Sequence, residues 1–340
     1  MAATGFSMKE VILARRPSGA PVPQDFSVRE HELPDCGDGE VTISTQYISI
    51  DPYVRCLLDE ASPYGETLAL GERITGDALS IVVRSACSAM PVGSMVVGRT
   101  GWATLSNVKS GALRNVEPWI KNLPTVLSSL GGTGLTAFVG VTEIANPKLG
   151  EIALVSGASG GVGILAIQLL RAAGCQVIAL AGGSSKTQHL RSELGFNHVI
   201  DYKETASLTD AIRQWAPKGI DIYFDNVGGR LSEEVYRNLA VGSRVVLCGE
   251  VSQYNSPGKE FNPRLLGPLM AQRASVSAFL VSDYRSNFEE YRKRIQRLLD
   301  ERKLTDVHDI VDGIESAPIA LIGMLRGDNR GKRMVKVTGT

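Results

Sequence analysis

The stretch Glu151–Gly163, with the sequence EIALVSGASGGVG, decides the fold of this chain. Ile152 to Val155 is a short apolar run typical of a strand buried on both faces, and glycines follow at Gly157, Gly160 and Gly163. A tight turn needs positive φ, a pyrophosphate needs backbone N–H groups with no Cβ in the way, and the next helix must pack close to its strand. The stretch therefore predicts a strand, a dinucleotide-binding turn and a helix. The alternative is a glycine-rich turn that binds no ligand.

The residues after this helix indicate which dinucleotide is bound. Gln176 to Ala181 predicts a second strand and completes a β–α–β unit. An NAD site places an acidic residue roughly 20 residues beyond the first glycine, whereas a 2′-phosphate is bound by cations and hydroxyl groups. The sequence of residues 180–186, LAGGSSK, contains no carboxylate and ends in Lys186. We therefore predict NADPH as the cofactor, the alternative being that Lys186 is an ordinary solvated lysine in the first turn of a helix.

Length and composition restrict the class of protein. With 340 residues the chain exceeds the size at which one hydrophobic core usually stops growing, so we expect two domains. Lysine plus arginine and aspartate plus glutamate both number 36, and this balance gives no electrostatic reason to expect nucleic acid or an anionic membrane as a partner. Five widely spaced cysteines fit reduced thiols, and no apolar run is long enough for a signal peptide or a membrane span. We expect a soluble, cytoplasmic protein.

The pattern of apolar residues changes along the chain. Short β-like runs separated by Gly and Pro fill the first third, which predicts a small barrel-like domain; they are EVILA at 10–14, VTISTQYISI at 41–50, ALSIVVRSA at 78–86 and SMVVGRTGWATL at 94–105. From Thr125 helical and strand patterns alternate, from an apolar helix at residues 129–141 to a sixth strand at residues 275–281. This alternation is typical of a doubly wound parallel sheet. The chain closes with MVKV at residues 334–337, a further predicted strand. We assign residues 1–124 and 310–340 to the barrel-like domain and residues 125–309 to a Rossmann NADPH-binding domain.

Several motifs, taken in order, resemble the zinc-free branch of the medium-chain dehydrogenase/reductase superfamily, and within it the NADPH-dependent alkenal, prostaglandin and curcumin reductases. They are SIDPYVR at 49–55, GGTGLTAFVG at 131–140, DNVGG at 225–229, CGEVSQYN at 248–255, FLVSDY at 279–284 and GDNRGKRMVKV at 327–337. Three departures lie near the expected substrate: Phe138 where tyrosine is usual, Gly132-Thr133 where Met-Pro is frequent, and Cys56 where methionine is common. They leave the expected reaction class intact and change the expected lining of the substrate pocket.

The resemblance implies a fold, an assembly and a set of site residues. It implies a Rossmann domain with a GroES-like, mainly-β domain, and usually a homodimer. Carried over motif by motif, the cofactor contacts are Gly157, Gly160, Gly161, Val162, Gly163, Lys186, Tyr202, Asn226, Cys248, Gly249, Tyr254, Phe279, Leu280, Val281 and Asn329. Tyr202 joins Lys186 near the 2′-phosphate in this assignment, whereas Phe279–Val281 and Asn329 lie near the nicotinamide.

The residue types also restrict the chemistry. A catalytic zinc needs three Cys, His or carboxylate ligands around an open position, and no such cluster can be assembled from the sequence. We therefore predict no metal. Hydride transfer to a saturated ketone is difficult without a Lewis acid, whereas 1,4-addition to an activated alkene only needs a modest hydrogen-bond donor to the carbonyl oxygen.

Tyrosine is the natural donor because its pKa of about 10 leaves the phenol protonated at neutral pH. Tyr254 is the first candidate catalytic residue, and Tyr53 and Tyr64 are second candidates as pocket walls. Each of the three has the alternative of being an ordinary half-buried tyrosine. The cofactor ribose and water are alternative sources of the hydrogen bond and the proton.

These observations predict an NADPH-dependent ene-reductase that acts on α,β-unsaturated ketones or aldehydes. A zinc-free NADPH quinone oxidoreductase is the alternative enzyme. The non-enzymatic alternative is a cofactor-binding protein without catalytic activity, as some lens crystallins of the superfamily are. The sequence does not name the substrate.

Overall fold

The computed structural model describes residues 6–63, 65–256 and 266–337. Its strands are β1 (Phe6–Leu13), β2 (Phe26–Leu33), β3 (Glu40–Ser49), β4 (Ala78–Ser85), β5 (Met95–Gly98), β6 (Leu105–Lys109), β7 (Arg114–Asn115), β8 (Ile152–Ser156), β9 (Gln176–Ala181), β10 (Val199–Asp201), β11 (Ile220–Asp225), β12 (Leu239–Leu247), β13 (Ser275–Ala278), β14 (His308–Asp312) and β15 (Lys332–Lys336). Its α-helices are α1 (Tyr53–Leu57), α2 (Gly132–Val139), α3 (Gly161–Ala172), α4 (Ser184–Ser192), α5 (Leu208–Trp215), α6 (Gly229–Tyr236), α7 (Leu266–Gln272), α8 (Phe288–Asp300) and α9 (Ala317–Arg326).

The chain divides into two compact units, one made of residues 1–127 and 308–340 and the other of residues 128–307. The second unit contains a six-stranded sheet in the order β10-β9-β8-β11-β12-β13, and all of its pairs are parallel. Buried side chains such as Leu154, Ile178 and Tyr223 fill its core, because helices pack on a sheet whose strands are nearly all apolar. The strand order reverses between β8 and β11, and a crevice forms at the carboxyl ends of the strands at such a point.

The first unit is built on a seven-stranded sheet in the order β14-β15-β3-β4-β5-β7, with β6 also paired to β3, and on the separate two-stranded sheet β1-β2. β15 pairs antiparallel with β3, with Met334 opposite Ser49, so the last strand of the chain lies in the same sheet as N-terminal strands. Trp102 and Ile50 are fully buried in the main core of this unit together with Val335. No helix of the described residues is long and apolar enough to cross a membrane.

Some elements differ from the sequence prediction. The strand β2 was not predicted. Only its two end residues, Phe26 and Leu33, are buried, so its sequence lacks the alternation of apolar and polar residues that indicates a half-buried strand. The predicted apolar helix from Ser129 to Val141 is shorter as an α-helix, and a π-helical turn, Gly140–Ala145, follows it directly. The sixth strand ends at Ala278 rather than Val281, because a 3-10 helix, Val281–Asn287, begins there.

Candidate active site

The glycine turn after β8 has the geometry that a phosphate-binding turn requires. Gly157 has a φ of +59°, in the left-handed region that favours glycine. A Cβ on Gly163 would lie 2.2 Å from the carbonyl oxygen of Gly157, so only glycine allows the first turn of α3 to pack this closely. Gly161 is the first residue of α3, which also includes Val162, and Gly160 is its N-cap. The first N–H groups of this helix therefore point toward the crevice, as in anion-binding helix termini.

Asp225, at the end of β11, joins the neighbouring strand ends. It is 1% exposed and accepts hydrogen bonds from the Ser156 and Ser232 hydroxyls, from the Tyr223 phenol, and from the main-chain N–H groups of Val227 and Gly228. Ser156 is the last residue of β8, so this carboxylate connects β8 with β11. Because a buried carboxylate is stable only when its oxygens accept such bonds, the network fixes the floor of the crevice.

Asn226 and the residues after β12 are held by the same network. The Asn226 amide donates to the Ser156 carbonyl oxygen at 2.7 Å, and the N–H groups of Cys248 and Gly249 donate to the Asp225 carbonyl oxygen at 2.9 and 3.1 Å. A Cβ on Gly249 would lie 3.5 Å from the Tyr254 hydroxyl. The structure therefore brings the predicted residues Asn226, Cys248, Gly249 and Tyr254 together. Burial, followed by the charge of Asp225, raises the pKa of the Cys248 thiol to about 12, so this group stays neutral.

The end of β9 forms a second part of the crevice. A Cβ on Gly182 would lie 2.7 Å from the Tyr202 hydroxyl, so the Tyr202 ring lies directly against the main chain there. The N–H of Gly183 donates to the Asp201 carboxylate, which holds the ends of β9 and β10 together. α4 begins at the next residue and carries Lys186 in its first turn, half-buried. Burial, followed by the Asp201 charge, raises the pKa of Tyr202, which keeps this phenol protonated.

An open cleft of about 670 Å³ continues from Tyr202 along α5 and α6. Its lining includes Ser207 at the start of α5, Val227 and Gly228 after β11, and Arg230 on α6. Its lining is a mixture of polar and apolar groups.

The residues after β13 are placed at the same edge of the sheet as the other strand ends. A Cβ on Gly140 would lie 2.6 Å from the Phe224 ring and 3.0 Å from the Phe279 ring, so the π-helical turn packs against both rings. Leu280 is 51% exposed, and Val281 begins the 3-10 helix.

Tyr53 and Asn329 belong to the first unit. The Arg99 guanidinium carbon lies 5.2 Å from the centre of the Tyr53 ring. Burial, followed by the negative charge of Asp51, raises the pKa of Tyr53 well above its usual range, so the phenol is a hydrogen-bond donor at any physiological pH. The Asn329 amide, 7% exposed, donates to the carbonyl oxygen of Gly331 at 2.8 Å. Tyr64 lies outside the described residues.

Sequence reasoning missed several residues that organise these regions. Asp225, Ser156 and Tyr223 were absent from the predicted site, although the DNVGG motif begins with Asp225. Lys332, 3% exposed, donates to the Ile50 carbonyl oxygen at 2.9 Å and pairs with Asp51, the acid of the DPYVR motif. Asp225 and Asp51 both lie inside sequence motifs, at or just after the end of an apolar strand. A charged residue in that position was the signal by which the sequence could have identified them. Among residues 6–63, 65–256 and 266–337, no group of three or more His, Cys, Asp or Glu side chains could hold a metal ion.

Comparison with known proteins places the chain in a family. A family model described as the N-terminal domain of oxidoreductase matches residues 9–116, and one described as zinc-binding dehydrogenase matches residues 161–299. The NADPH-dependent curcumin reductase of Escherichia coli is 33% identical, with 96% of each chain covered. The NADP(+)-dependent 2-alkenal reductase of Nicotiana tabacum is 35% identical, with 98% of each chain covered. The chain belongs to the medium-chain dehydrogenase/reductase superfamily, in the branch of these reductases.

A solved structure of this branch supports the same assignment. CurA from Vibrio vulnificus, in complex with NADPH, is 32% identical and superimposes with a TM-score of 0.92 over 98% of this chain and 100% of CurA. The predicted fold class of this reductase, a Rossmann sheet with a GroES-like, mainly-β domain, is confirmed. The zinc in the name of the second family model has no counterpart in a ligand cluster among the described residues.

Proposed function

We propose that this reductase transfers a hydride from NADPH to the β-carbon of an α,β-unsaturated ketone or aldehyde and leaves the carbonyl group intact. The observation that carries the proposal is the cluster of residues at the switch point of the parallel sheet, where Gly157 lies beside Asn226 and Tyr254 lies beside Gly249. Asn226 and Gly249 are held there by Ser156 and Asp225. The relatives support it, since they include a curcumin reductase, a 2-alkenal reductase and a (+)-pulegone reductase, the last from Mentha piperita and 32% identical.

The residues present fit NADPH. The glycine turn and the start of α3 would hold the pyrophosphate, as the close packing of Gly163 on Gly157 indicates. Lys186 and Tyr202 would bind the 2′-phosphate, and the cleft beside Tyr202 would receive the adenosine. We assign the nicotinamide end to Asn226, Cys248, Gly249 and the residues after β13. When bound, the cofactor supplies the hydride.

The protein's own residues supply hydrogen bonds rather than a Lewis acid. Hydride addition to the β-carbon produces an enolate, and a donor to its oxygen stabilises the negative charge. We assign this donor to Tyr254, which lies beside Gly249, with Tyr53 as a second phenol that stays protonated. We propose that the reaction needs no metal, because the ligand cluster that zinc requires is absent from the described residues.

Isotope labelling tests the reaction class. With deuterium on the transferring position of NADPH and a chelator in the buffer, we expect the label on the β-carbon of a saturated ketone or aldehyde. Label on the carbinol carbon of an allylic alcohol, or turnover of quinones alone, would contradict the proposal.

In the same assay, Tyr254→Phe should lower turnover by up to roughly 10²-fold, the scale of losing one oxyanion donor, with little change in NADPH affinity.

We also propose that the first unit carries the substrate-facing residues and the second unit binds the cofactor, and that the protein is a cytoplasmic homodimer without a nucleic-acid partner. The balanced charge and the absence of paired cysteines support the location and partner assignments. The exposed edge strand β13 supports the homodimer, because all four of its residues are exposed.

A further inference from the structure

The guanidinium group of Arg16 contacts both ends of one loop. Arg16 follows β1, and its Nη1 donates to the carbonyl oxygens of Leu58 and Asp59 at 2.9 and 2.8 Å. Its Nη2 donates to the carbonyl oxygen of Leu68 at 3.0 Å. Leu58 and Leu68 are buried and flank the described residues 59–63 and 65–67, which we call the α1 loop. Arg16 therefore joins the two ends of this loop, in addition to the main-chain bond from the Leu68 N–H to the Leu57 carbonyl oxygen at 2.8 Å.

A second arginine strengthens the attachment at the start of the loop. Arg55, in α1, is 2% exposed and donates to the Asp59 carboxylate at 2.7 Å. Its other terminal nitrogen donates to the carbonyl oxygen of Gly19 at 2.8 Å. Gly19 and Arg16 lie in the same segment, so this segment and the α1 loop are connected by two guanidinium groups. The contact is local to the first unit.

The α1 loop borders a candidate substrate residue. The Arg99 guanidinium carbon lies 5.2 Å from the ring centre of Tyr53, and Arg99 Nη1 lies 3.8 Å from the carboxylate of Glu66 in the α1 loop. Glu66 and Tyr53 thus approach the same side chain. A change in the shape of this loop would change the space beside Tyr53.

We propose that Arg16 is a positioning residue that sets the shape of the α1 loop and, through it, which enones the reductase accepts. The inference rests on the proposed function, because it identifies the α1 loop as a wall of the substrate site. A planar guanidinium has five donors in a fixed fork, and here its two terminal nitrogens reach carbonyl groups at both ends of the loop, whereas a lysine ammonium presents three donors from a single nitrogen. The role therefore depends on the shape of the side chain in addition to its charge.

The variant Arg16→Lys keeps the charge and removes the fork, and Arg15→Lys is the matched control. Arg15 is the next residue in the chain and pairs with Asp25 instead of the α1 loop. For both variants and the wild type, kcat and KM are measured with methyl vinyl ketone and with benzylideneacetone, together with NADPH affinity, Tm and hydrogen exchange of residues 59–67. We expect Arg16→Lys to change the ratio of the two kcat/KM values by about tenfold, the scale of one lost charge-assisted hydrogen bond, through KM rather than kcat.

Exchange in the α1 loop should become faster in Arg16→Lys, with NADPH affinity unchanged, while Arg15→Lys should match the wild type in both respects. An unchanged selectivity ratio, or loop exchange no faster than in the control, would overturn the proposal. If Arg16→Lys does not fold, Arg16→Gln is measured in its place under the same criteria. A wild-type protein that reduces no enone would instead contradict the proposed function, and loop exchange would still report on the role of Arg16 in shaping the loop.

Discussion

Asp225 shows how one buried residue arranges several predicted ones. Its carboxylate and its carbonyl oxygen together accept bonds from the last residue of β8 and from residues after β11 and β12. Each bond satisfies a polar group that burial would otherwise leave without water, and a buried unsatisfied group costs about 1–3 kcal/mol. Cys248 and Gly249 are therefore placed by Asp225 through their main-chain N–H groups. Asn226 is held by Ser156, whose hydroxyl in turn donates to Asp225.

Lys186 carries the first prediction at the scale of a residue. The lysine stands in the first turn of α4, and Tyr202 packs against the preceding strand end. A charge-assisted bond to a 2′-phosphate is worth roughly 1.5–3 kcal/mol, so Lys186→Ala should weaken NADPH binding roughly ten- to a hundredfold. NADH lacks this phosphate, and its affinity should hardly change. Titration of both cofactors checks this, and equal weakening of the two would disprove the assignment.

At the scale of elements, the close contact between the glycine turn and α3 depends on the absence of a Cβ atom at Gly163. A Cβ on Gly163 would meet three main-chain atoms, with the Gly157 carbonyl oxygen at 2.2 Å and the Ala158 Cα at 2.9 Å. Main-chain atoms of a buried turn cannot rotate away as a flexible side chain can. The helix would have to move outward, and with it the N–H groups that face the crevice.

We therefore expect Gly163→Ala to lower the free energy of unfolding by roughly 1–3 kcal/mol, the usual cost of overpacking a core, and to weaken NADPH binding as well. Gly111→Ala is the control, because a Cβ there meets nothing within 4 Å and its φ is not positive. Thermal denaturation with and without NADPH measures both effects. If the two variants have equal stability and equal NADPH affinity, α3 can move to accommodate the added Cβ without loss of either, and the prediction is wrong.

At the scale of the whole molecule, β13 is an edge strand of the second unit among the residues that the structure describes. β13 ends the six-stranded sheet, and Val276 on this strand is 43% exposed. Met270 on α7 and Leu280 after the strand are 74% and 51% exposed. Exposed edge strands with apolar neighbours pair with other chains unless they are protected, so a second copy of this chain is the partner that we propose.

Val276→Glu should convert the homodimer to a monomer, because it places a charge beside its own symmetry mate in the paired edge. Light scattering coupled to size-exclusion chromatography measures the mass. Val92→Glu is the control, since Val92 is 63% exposed in the first unit and should keep the wild-type mass. A monomeric wild type, or a dimeric Val276→Glu, would remove β13 from the interface.

The sequence alone determined the parallel sheet and the glycine turn, because both depend on local patterns. The apolar runs at Ile152–Val155 and Gln176–Ala181 coincide with β8 and β9 to within a residue, since a strand buried on both faces is visible in the sequence as a nearly continuous apolar run. Gly157 and Gly163 were also readable, because positive φ and close packing each demand glycine. The motifs were sufficient to identify the family.

Tertiary structure alone decided how distant residues meet. Nothing in the sequence shows that Asp225 bonds Ser156, or that Arg16 bonds Leu58 and Leu68, because these partners are up to 69 residues apart in the chain. In addition, the partner of Arg16 is a main-chain carbonyl group, which every residue possesses. β2 was missed for a related reason, since an exposed strand is stabilised by its pairing with β1 rather than by a pattern of its own. Local patterns determine which elements form, and long-range hydrogen bonds determine which of their ends face one another.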